Sequence, residues 1–423
     1  VETQKNPHIE ILCIGREILD GRVIDTNSVF FGQELGKLGL TPRFSQKVDD
    51  DPERMIQAFE LAASRSSIVL VTGGLGPTSD DLTAEVFAKF AKLPIEESPI
   101  ARAQIEAFFK DKNRPMLPVQ LKQARLPKGA LVLANRIGTA PGFSVRHAET
   151  DFYFFPGIPS ELRAIFFDWV RPKLPAQQNM RAHSWATQFT SEGELQTRLK
   201  TVLQKVPSHF EFTYRTRMPE NHLGLIGQCS TTDDTKLFDL IVGEVSTLLG
   251  DDFFSQGEIE DLEAVVVKLA KDKRVLLATV ESCTGGLMAH RLTQVSGASH
   301  VFVGGQITYD NALKVELGVS EQILNDVGSV SAECAQAMAE KSVHHLQKIF
   351  TGKRLMCVSS TGIAGPRGGT QSKPVGLCYF AIADSQGPTN VEKFQGRPGL
   401  TRAELKNFFS QKGLDLLRRR LLL

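Results

Sequence analysis

Residues 67–91 read SIVLVTGGLGPTSDDLTAEVFAKFA. Ser67 to Thr72 is a short apolar run, the pattern of a strand buried on both faces. Gly73, Gly74 and Gly76 then turn the chain, and a helical period runs from Asp81 to Ala91. Strand, glycine turn and helix form the repeating unit of a parallel sheet wound with helices. The same unit recurs on either side. Ile9 to Gly15 is β-like and Asn27 to Leu38 carries apolar residues at helical spacing, while Phe152 to Phe155 is a further strand whose Pro156-Gly157-Ile158-Pro159 turn leads into a helix from Ser160.

At 423 residues the chain exceeds one ordinary core. The reading divides it into an α/β domain over 8–171, a small α+β module over 172–257 and a second α/β domain over 258–423. In the middle module Gln177 to Ser184 is polar, Gly193 to Val206 and Lys236 to Leu249 read as helices, and Glu211 to Thr216 pairs with Leu223 to Cys229. In the third segment a helical run goes from Glu258 to Ala270, Arg274 to Val280 is a strand, and Gly285 and Gly286 open a helix through Val295. His300 to Gly304 and Leu355 to Ser359 are further strands, and Ser331 to Phe350 is a long helix.

The chain is 41% hydrophobic and 23% charged, which is globular and far from disorder. A formal net charge of +1 gives no electrostatic reason to expect nucleic acid or an anionic membrane as partner. Arg418 to Arg420, beside Leu421 to Leu423, read as the close of a last helix. The six cysteines are scattered without a CxxC pair, which argues against a disulfide framework or zinc site and fits a reducing cytosol. There is no signal-peptide pattern, no apolar run near the ~18 residues of a membrane span, and Val1 stands where an initiator methionine is usual. A cytoplasmic protein is expected.

Two constellations carry chemistry. In residues 72–83, TGGLGPTSDDLT, glycines let backbone amides approach a phosphate. Asp80 and Asp81 would repel that phosphate unless a cation lies between, as in a metal–pyrophosphate site. The plainer alternative is that Thr78 or Ser79 caps the helix and the aspartates complement its dipole. Gly15-Arg16-Glu17-Ile18, Asp25-Thr26-Asn27 and Gly138-Thr139-Ala140-Pro141-Gly142 are loops that a wound sheet brings to the same edge.

The second constellation, Val280-Glu281-Ser282-Cys283-Thr284-Gly285-Gly286, joins a strand to a helix, so that Ser282 lies beside amides suited to an oxyanion. Serine needs a base. Lys314, in Tyr309-Asp310-Asn311-Ala312-Leu313-Lys314, serves only if its pKa falls by about three units from ~10.4, with Tyr309 as a proton relay. The alternative makes Ser282 a helix cap and Lys314 a surface charge. Cys283 ranks below Ser282 as nucleophile, and His290 is read as lying along the helix. A glycine loop, Ser360-Thr361-Gly362-Ile363-Ala364-Gly365-Pro366-Arg367-Gly368-Gly369-Thr370, offers further backbone donors.

The first set of loops resembles the N-terminal domain of the CinA (competence/damage-inducible protein A) family, which is similar to the molybdopterin-binding fold of MogA, MoaB and MoeA proteins. That resemblance implies ADP-ribose pyrophosphatase activity dependent on a divalent metal (Mg, Mn or Co), with K+ as a further cofactor. Asp81 and Asp80 would be the metal-linked carboxylates, with Gly73, Gly74, Gly76, Thr78 and Asn27 around the phosphates. The second set resembles the C-terminal CinA domain, similar to the nicotinamide mononucleotide deamidase PncC. It implies Ser282 as nucleophile on the carboxamide with release of ammonia, Tyr309 and Lys314 as activating partners, and Thr361 against the intermediate. Thr284, Gly285, Gly286, Asn311, Gly362, Gly365, Gly368, Gly369, Arg397 and Arg402 would bind substrate, with no cofactor in this domain. The middle module resembles the family's KH-like linker, and a homodimer is implied.

The chain departs from the family's usual residues at Arg16 (Thr or Asp), Gln120 (Asn) and Pro398 (Arg), with Arg397 one residue away. A non-catalytic adaptor or nucleotide sensor linked to competence and DNA repair, and a molybdopterin-handling N-terminal domain, are the competing functions. The letters GxxG of an RNA-binding KH loop occur at Gly224-Leu225-Ile226-Gly227, but inside an expected strand, so the module is read as structural and no nucleic acid is expected.

Overall fold

The computed structural model describes residues 7–175, 179–257 and 259–423. It divides into two compact units, residues 1–180 and 181–423. Gln177 and Glu258, named above at segment boundaries, lie outside the described residues.

The first unit is built on strands β1 (Ile9–Ile14), β2 (Pro42–Val48), β3 (Ile68–Thr72), β4 (Ile95–Glu97), β5 (Arg125–Pro127), β6 (Leu131–Leu133), β7 (Gly142–His147) and β8 (Thr150–Phe155). Six of them form one sheet in the order β2-β1-β3-β8-β7-β6, while β4 and β5 pair separately. The first four in that order are parallel and the last two antiparallel. Period-two alternation explains why these strands read as unbroken apolar runs. Phe152 and Phe154 enter one core with Phe59 and Phe87, and Phe155 enters the other with Phe31 and Phe166. Register aligns Cys13, Thr72 and Phe155 side by side, so the loops that follow them open at one edge.

One strand of this sheet carries a buried carboxylate. Glu10 on β1 is fully enclosed and is bonded by Arg65 at 2.6 and 3.0 Å, Gln46 at 2.5 Å and Ser66 at 2.8 Å. Burial pushes its carboxyl pKa up, but the donors, Arg65 first, outweigh that and hold it below the ordinary value.

The second unit contains two sheets. Strands β9 (Met180–Gln188), β10 (Phe210–Arg217), β11 (Glu220–Gln228) and β12 (Phe253–Gly257) form the order β10-β11-β9-β12. Helices Glu192–Leu203 and Thr232–Leu249 supply its core, with Trp185 at the centre. The segment read as polar up to Ser184 is, from Met180 on, part of β9, because that strand is hydrogen-bonded between β11 and β12 and runs on into buried Trp185 to Gln188. Gly224 to Gly227 lie within β11, paired residue by residue with β10, and a Cβ on Gly227 would meet the Phe210 ring at 2.2 Å. Gly227 makes room for that ring and Gly224 for the Thr213 side chain, and the stretch forms no loop.

The other sheet has the order β14-β13-β15-β16-β17, from β13 (Val275–Glu281), β14 (Phe302–Ile307), β15 (Arg354–Gly362), β16 (Leu377–Asp384) and β17 (Gly387–Gln395). β13 pairs parallel with both β14 and β15. The C-terminal helix Arg402–Leu422 runs through the cores beneath it, and its arginines are paired. Arg418 and Arg419 bind Asp415, and Arg420 binds Asp384. Among the described residues no helix is long and apolar enough to cross a membrane.

Replacing Arg65 with methionine strands the Glu10 carboxylate in the first core and is expected to destabilise that unit by about 3–5 kcal/mol, read by thermal or urea unfolding. Because the folded Glu10 pKa is depressed, the wild-type advantage is present above the unfolded value near ~4.3 and is lost as pH falls through the folded one.

Candidate functional site

In each α/β domain, the edge where neighbouring parallel strands end carries the residues singled out from sequence. In the first, the chain leaves β1 toward β2 on one side and reaches β3 on the other, a topological switch point. A cleft of ≈ 460 Å³ opens there, lined by Gly73, Gly74, Gly76, Asp80, Asp81 and Asn27 among others. Asn27 is buried and donates to the Thr72 hydroxyl at 3.0 Å and the Gly157 carbonyl at 2.8 Å, tying two strand ends together. Gly73 has φ +108°, and a Cβ there would sit 2.0 Å from the Ile14 carbonyl oxygen, so this loop needs glycine.

The helix expected from Asp81 begins at Thr83, with Leu82 at its cap position, so neither Thr78 nor Ser79 caps it. Instead Thr78 donates its amide to Asp81 at 2.9 Å and its hydroxyl to Asp81 and Asp80, while Lys122 donates to the Thr78 carbonyl at 2.5 Å. Thr78 therefore orients the carboxylates and does not itself line the cleft. Its hydrogen bond holds the Asp80 pKa below the usual range.

Glu17, quoted above only as part of its loop, also lines the cleft, as do Asp50, Gln123 and Glu161, to which the sequence reading gave no role. Burial raises the Asp50 pKa, and Glu17 and Asp80 add to the rise, so negative charge accumulates here. Among the described residues no three carboxylate, imidazole or thiol groups converge on one ion position. This donor set fits a cation that shares a ligand's phosphates, since magnesium is commonly held by one or two carboxylates plus phosphate. The Arg16 side chain is exposed and outside the cleft lining, and Gln120 accepts the Leu117 amide at 2.9 Å, so neither departure occupies the site.

In the second domain, Glu281 is in register with Ile307 and with Ser360, which sets Ser282, Thr308 and Thr361 side by side at the strand ends. Ser282 lies in a turn before helix Leu287–Gln294, whose cap position is Gly286, so it is not the helix cap. Lys314 is not a surface charge. It is 1% exposed, on the short helix Asn311–Leu317 that Asp310 caps through the Ala312 amide at 2.8 Å. Its Nζ lies 2.8 Å from the Thr308 carbonyl, 3.3 Å from the Tyr309 carbonyl and 3.4 Å from Ser282 Oγ. Burial lowers the lysine pKa. A neutral amine has two N–H groups and one lone pair, and two carbonyls plus one hydroxyl match that inventory.

The remaining residues divide by function. Tyr309 is 60% exposed, and its hydroxyl accepts from Arg402 at 2.8 Å, so its contact with Lys314 is through the backbone and not the phenol expected as a relay. Arg402 also donates to the Gly365 carbonyl at 2.6 Å, joining the Tyr309 segment to the glycine loop. Thr284 and Thr361 are buried and committed, to the Ser360 hydroxyl at 2.8 Å and the Ser329 carbonyl at 2.6 Å. Gly362 packs against the Leu377 carbonyl, whereas Gly365 and Gly368 turn with positive φ toward the exposed Gly369. Asn311 is exposed at the start of its helix, and Arg397 is exposed, reaching the Phe189 carbonyl at 3.4 Å, with Pro398 beside it. Cys283 packs with its Sγ 3.6 Å from Cys378 Sγ, and His290 lies exposed along the helix. The amides of Ser282, Gly285 and Leu287 are spent on the carbonyls of Ser360, Ser282 and Thr284, which narrows the donors open to an oxyanion.

Residues 10–176 match the family described as "Probable molybdopterin binding domain", and residues 259–421 match the CinA C-terminal domain. The chain is 38% identical over 426 residues to a CinA-like protein of Gloeothece citriformis, covering 98% of this chain and 99% of that one. It is 36% identical over 427 residues to a CinA-like protein of Microcystis aeruginosa, with the same coverage. A solved structure of the CinA protein from Thermoplasma acidophilum is 34% identical, covering 38% of this chain and 95% of that one with a TM-score of 0.36. With relatives matching it from end to end, the chain belongs to the CinA-like protein family, with a MogA/MoaB-like N-terminal domain and a CinA C-terminal domain.

Proposed function

We propose that the C-terminal domain is a nucleotide amidohydrolase that converts nicotinamide mononucleotide to nicotinate mononucleotide and ammonia. The observation that carries this reading is the buried Lys314 amine 3.4 Å from the Ser282 hydroxyl. A lysine withdrawn from water sacrifices solvation of its charge, and a passive adaptor gives no reason for placing it against a serine.

In the reaction, Ser282 Oγ forms a bond to the carboxamide carbon as its proton passes to Lys314 Nζ. The lysine then protonates the departing nitrogen, the C–N bond breaks and ammonia leaves an acyl-serine ester. A water, deprotonated by the same amine, attacks the ester; the acyl C–Oγ bond breaks as the lysine returns that proton to Ser282 Oγ, and the acid released ionises to the carboxylate. The Thr308 and Tyr309 carbonyls hold the amine in place through both transfers. Exposed Arg402, with Tyr309 and the Gly365 loop, faces the nucleotide's anionic end.

We also propose that the N-terminal cleft hydrolyses the pyrophosphate of ADP-ribose, with Asp80 and Asp81 holding a divalent cation. That cation, when bound, supplies charge neutralisation at the phosphates. Thr78 fixes both carboxylates, and Gly76 leaves room for Asp81, whose Oδ2 would lie 2.4 Å from a Cβ at that position. The glycine loop lets amides approach the phosphates.

Ser282→Ala is expected to abolish ammonia release from nicotinamide mononucleotide while leaving ADP-ribose cleavage unchanged. Lys314→Met is expected to lower deamidation by about 10²–10⁴-fold. Wild-type rate should rise with pH as the amine loses its proton, with a midpoint below the ordinary lysine value of ~10.4. A methionine variant at wild-type rate across that range removes the lysine from the mechanism.

For the other domain, Asp81→Asn or a chelator should each abolish ADP-ribose hydrolysis, measured as AMP formed, with deamidation retained. Hydrolysis that survives both treatments refutes the metal site.

A further inference from the structure

One buried acid beside the nucleophile has no part in the chemistry above. Glu281 ends β13, is 0% exposed, and directs both carboxylate oxygens past the next six residues. Oε1 accepts the Ala289 amide at 2.8 Å and Oε2 the Met288 amide at 3.1 Å. These are first-turn donors of helix Leu287–Gln294, whose cap position is a glycine with no side chain to offer.

Four longer helices of this unit are capped by the side chain just before them, Ser191, Thr231, Ser331 and Thr401, whereas Leu262–Asp272 has no side-chain cap. A serine used that way spends its oxygen on an amide. Moving the cap back to the strand end leaves Ser282 Oγ available to Lys314, while Thr284 is taken by Ser360. The same residue reaches the base. The Glu281 carbonyl accepts the Thr308 amide at 2.8 Å, and the Thr308 carbonyl accepts Lys314 Nζ at 2.8 Å.

We propose that Glu281 is a positioning residue for this site: its carboxylate clamps the helix amides, closes the Ser282–Gly286 turn and sets Ser282 against Lys314. The proposal rests on the serine–lysine reading above. Two acceptor oxygens are required, one per amide. A glutamine offers one acceptor and turns an N–H against the second amide, and an aspartate keeps the charge but falls a methylene short.

The test compares wild type, Glu281→Gln and Glu281→Asp as full-length protein, with the folded fraction taken from calorimetry and all rates expressed per folded molecule. Two rates are measured: deamidation of nicotinamide mononucleotide, and sulfonylation of Ser282 by phenylmethanesulfonyl fluoride, followed by intact mass. Both variants are expected to lose about 10²-fold in kcat, the usual cost of a misplaced reacting group, with KM changed by less than about twofold. Sulfonylation should slow in parallel. Wild-type kcat and labelling rate per folded molecule in either variant would show that Glu281 only stabilises the fold, and overturns the proposal. Wild type that is labelled at Ser282 yet releases no ammonia refutes the substrate reading alone, and the labelling comparison then decides on Glu281. Wild type that is not labelled at Ser282 overturns both.

Discussion

The C-terminal domain is organised around one expensive placement, the Lys314 amine enclosed between two carbonyls and a serine hydroxyl. An amine without water needs fixed oxygen partners, and each of the three comes from a different constraint. The Thr308 and Tyr309 carbonyls are presented where β14 ends, the lysine rides on a helix started by Asp310, and Ser282 is held at the end of β13. Shifting any of these elements would leave the amine either unpaired or hydrated. This gives the short helix Asn311–Leu317 a place in the site well beyond its modest length.

The two α/β domains share the arrangement of their first three strands and differ in electrostatics. In both, a first strand lies between its successor and the third strand, and the loops after these strands meet at one edge. In the first domain that edge collects Glu17, Asp50, Asp80 and Asp81 around a glycine loop, an arrangement that gains from a cation. In the second the edge buries a single amine beside a hydroxyl. The backbone scaffold sets where the loops converge, and a handful of side chains sets what they are able to do there.

Within the second unit the middle sheet and the C-terminal domain are joined by buried polar contacts. Gln411, on the C-terminal helix, donates to Gln188 at 3.1 Å and Glu220 at 3.0 Å and accepts from Arg291 at 2.8 Å. Arg291 also pairs with Glu263 at 2.6 Å. These shared bonds fix the register of helices that apolar contacts alone would leave freer, although the Gln188 side-chain nitrogen is buried without a partner of its own. The same helix places Arg418 and Arg419 against Asp415 and the Asp251 carbonyl, so what reads as a basic run has its charge balanced internally.

The chain's local patterns were enough for the wound α/β architecture, because strands such as Ile68–Thr72 are apolar on both faces and their glycine turns are unmistakable. They also marked Ser282, Lys314, Asp80 and Asp81, since those types stand at strand ends in recognisable company. Mixed polar strands were harder: β2, β9, β12 and β17 show little apolar run and depend on neighbouring strands for their pairing. Burial was beyond reach as well. A serine before a helix looks like a cap and a lysine in a short helix looks like a surface charge, until the fold shows Gly286 at the cap position and Lys314 enclosed. Thr78 as an orienter of carboxylates, Tyr309 as a partner of Arg402, and Glu281 as a cap reaching across six residues follow from distances between segments far apart or looped back on themselves. Sequence by itself determined the strand–turn–helix order and the chemical inventory, because both are written in local periodicity and residue type. Tertiary structure alone decided which groups are dry and which face each other, because desolvation and hydrogen-bond geometry exist only once distant segments are packed together.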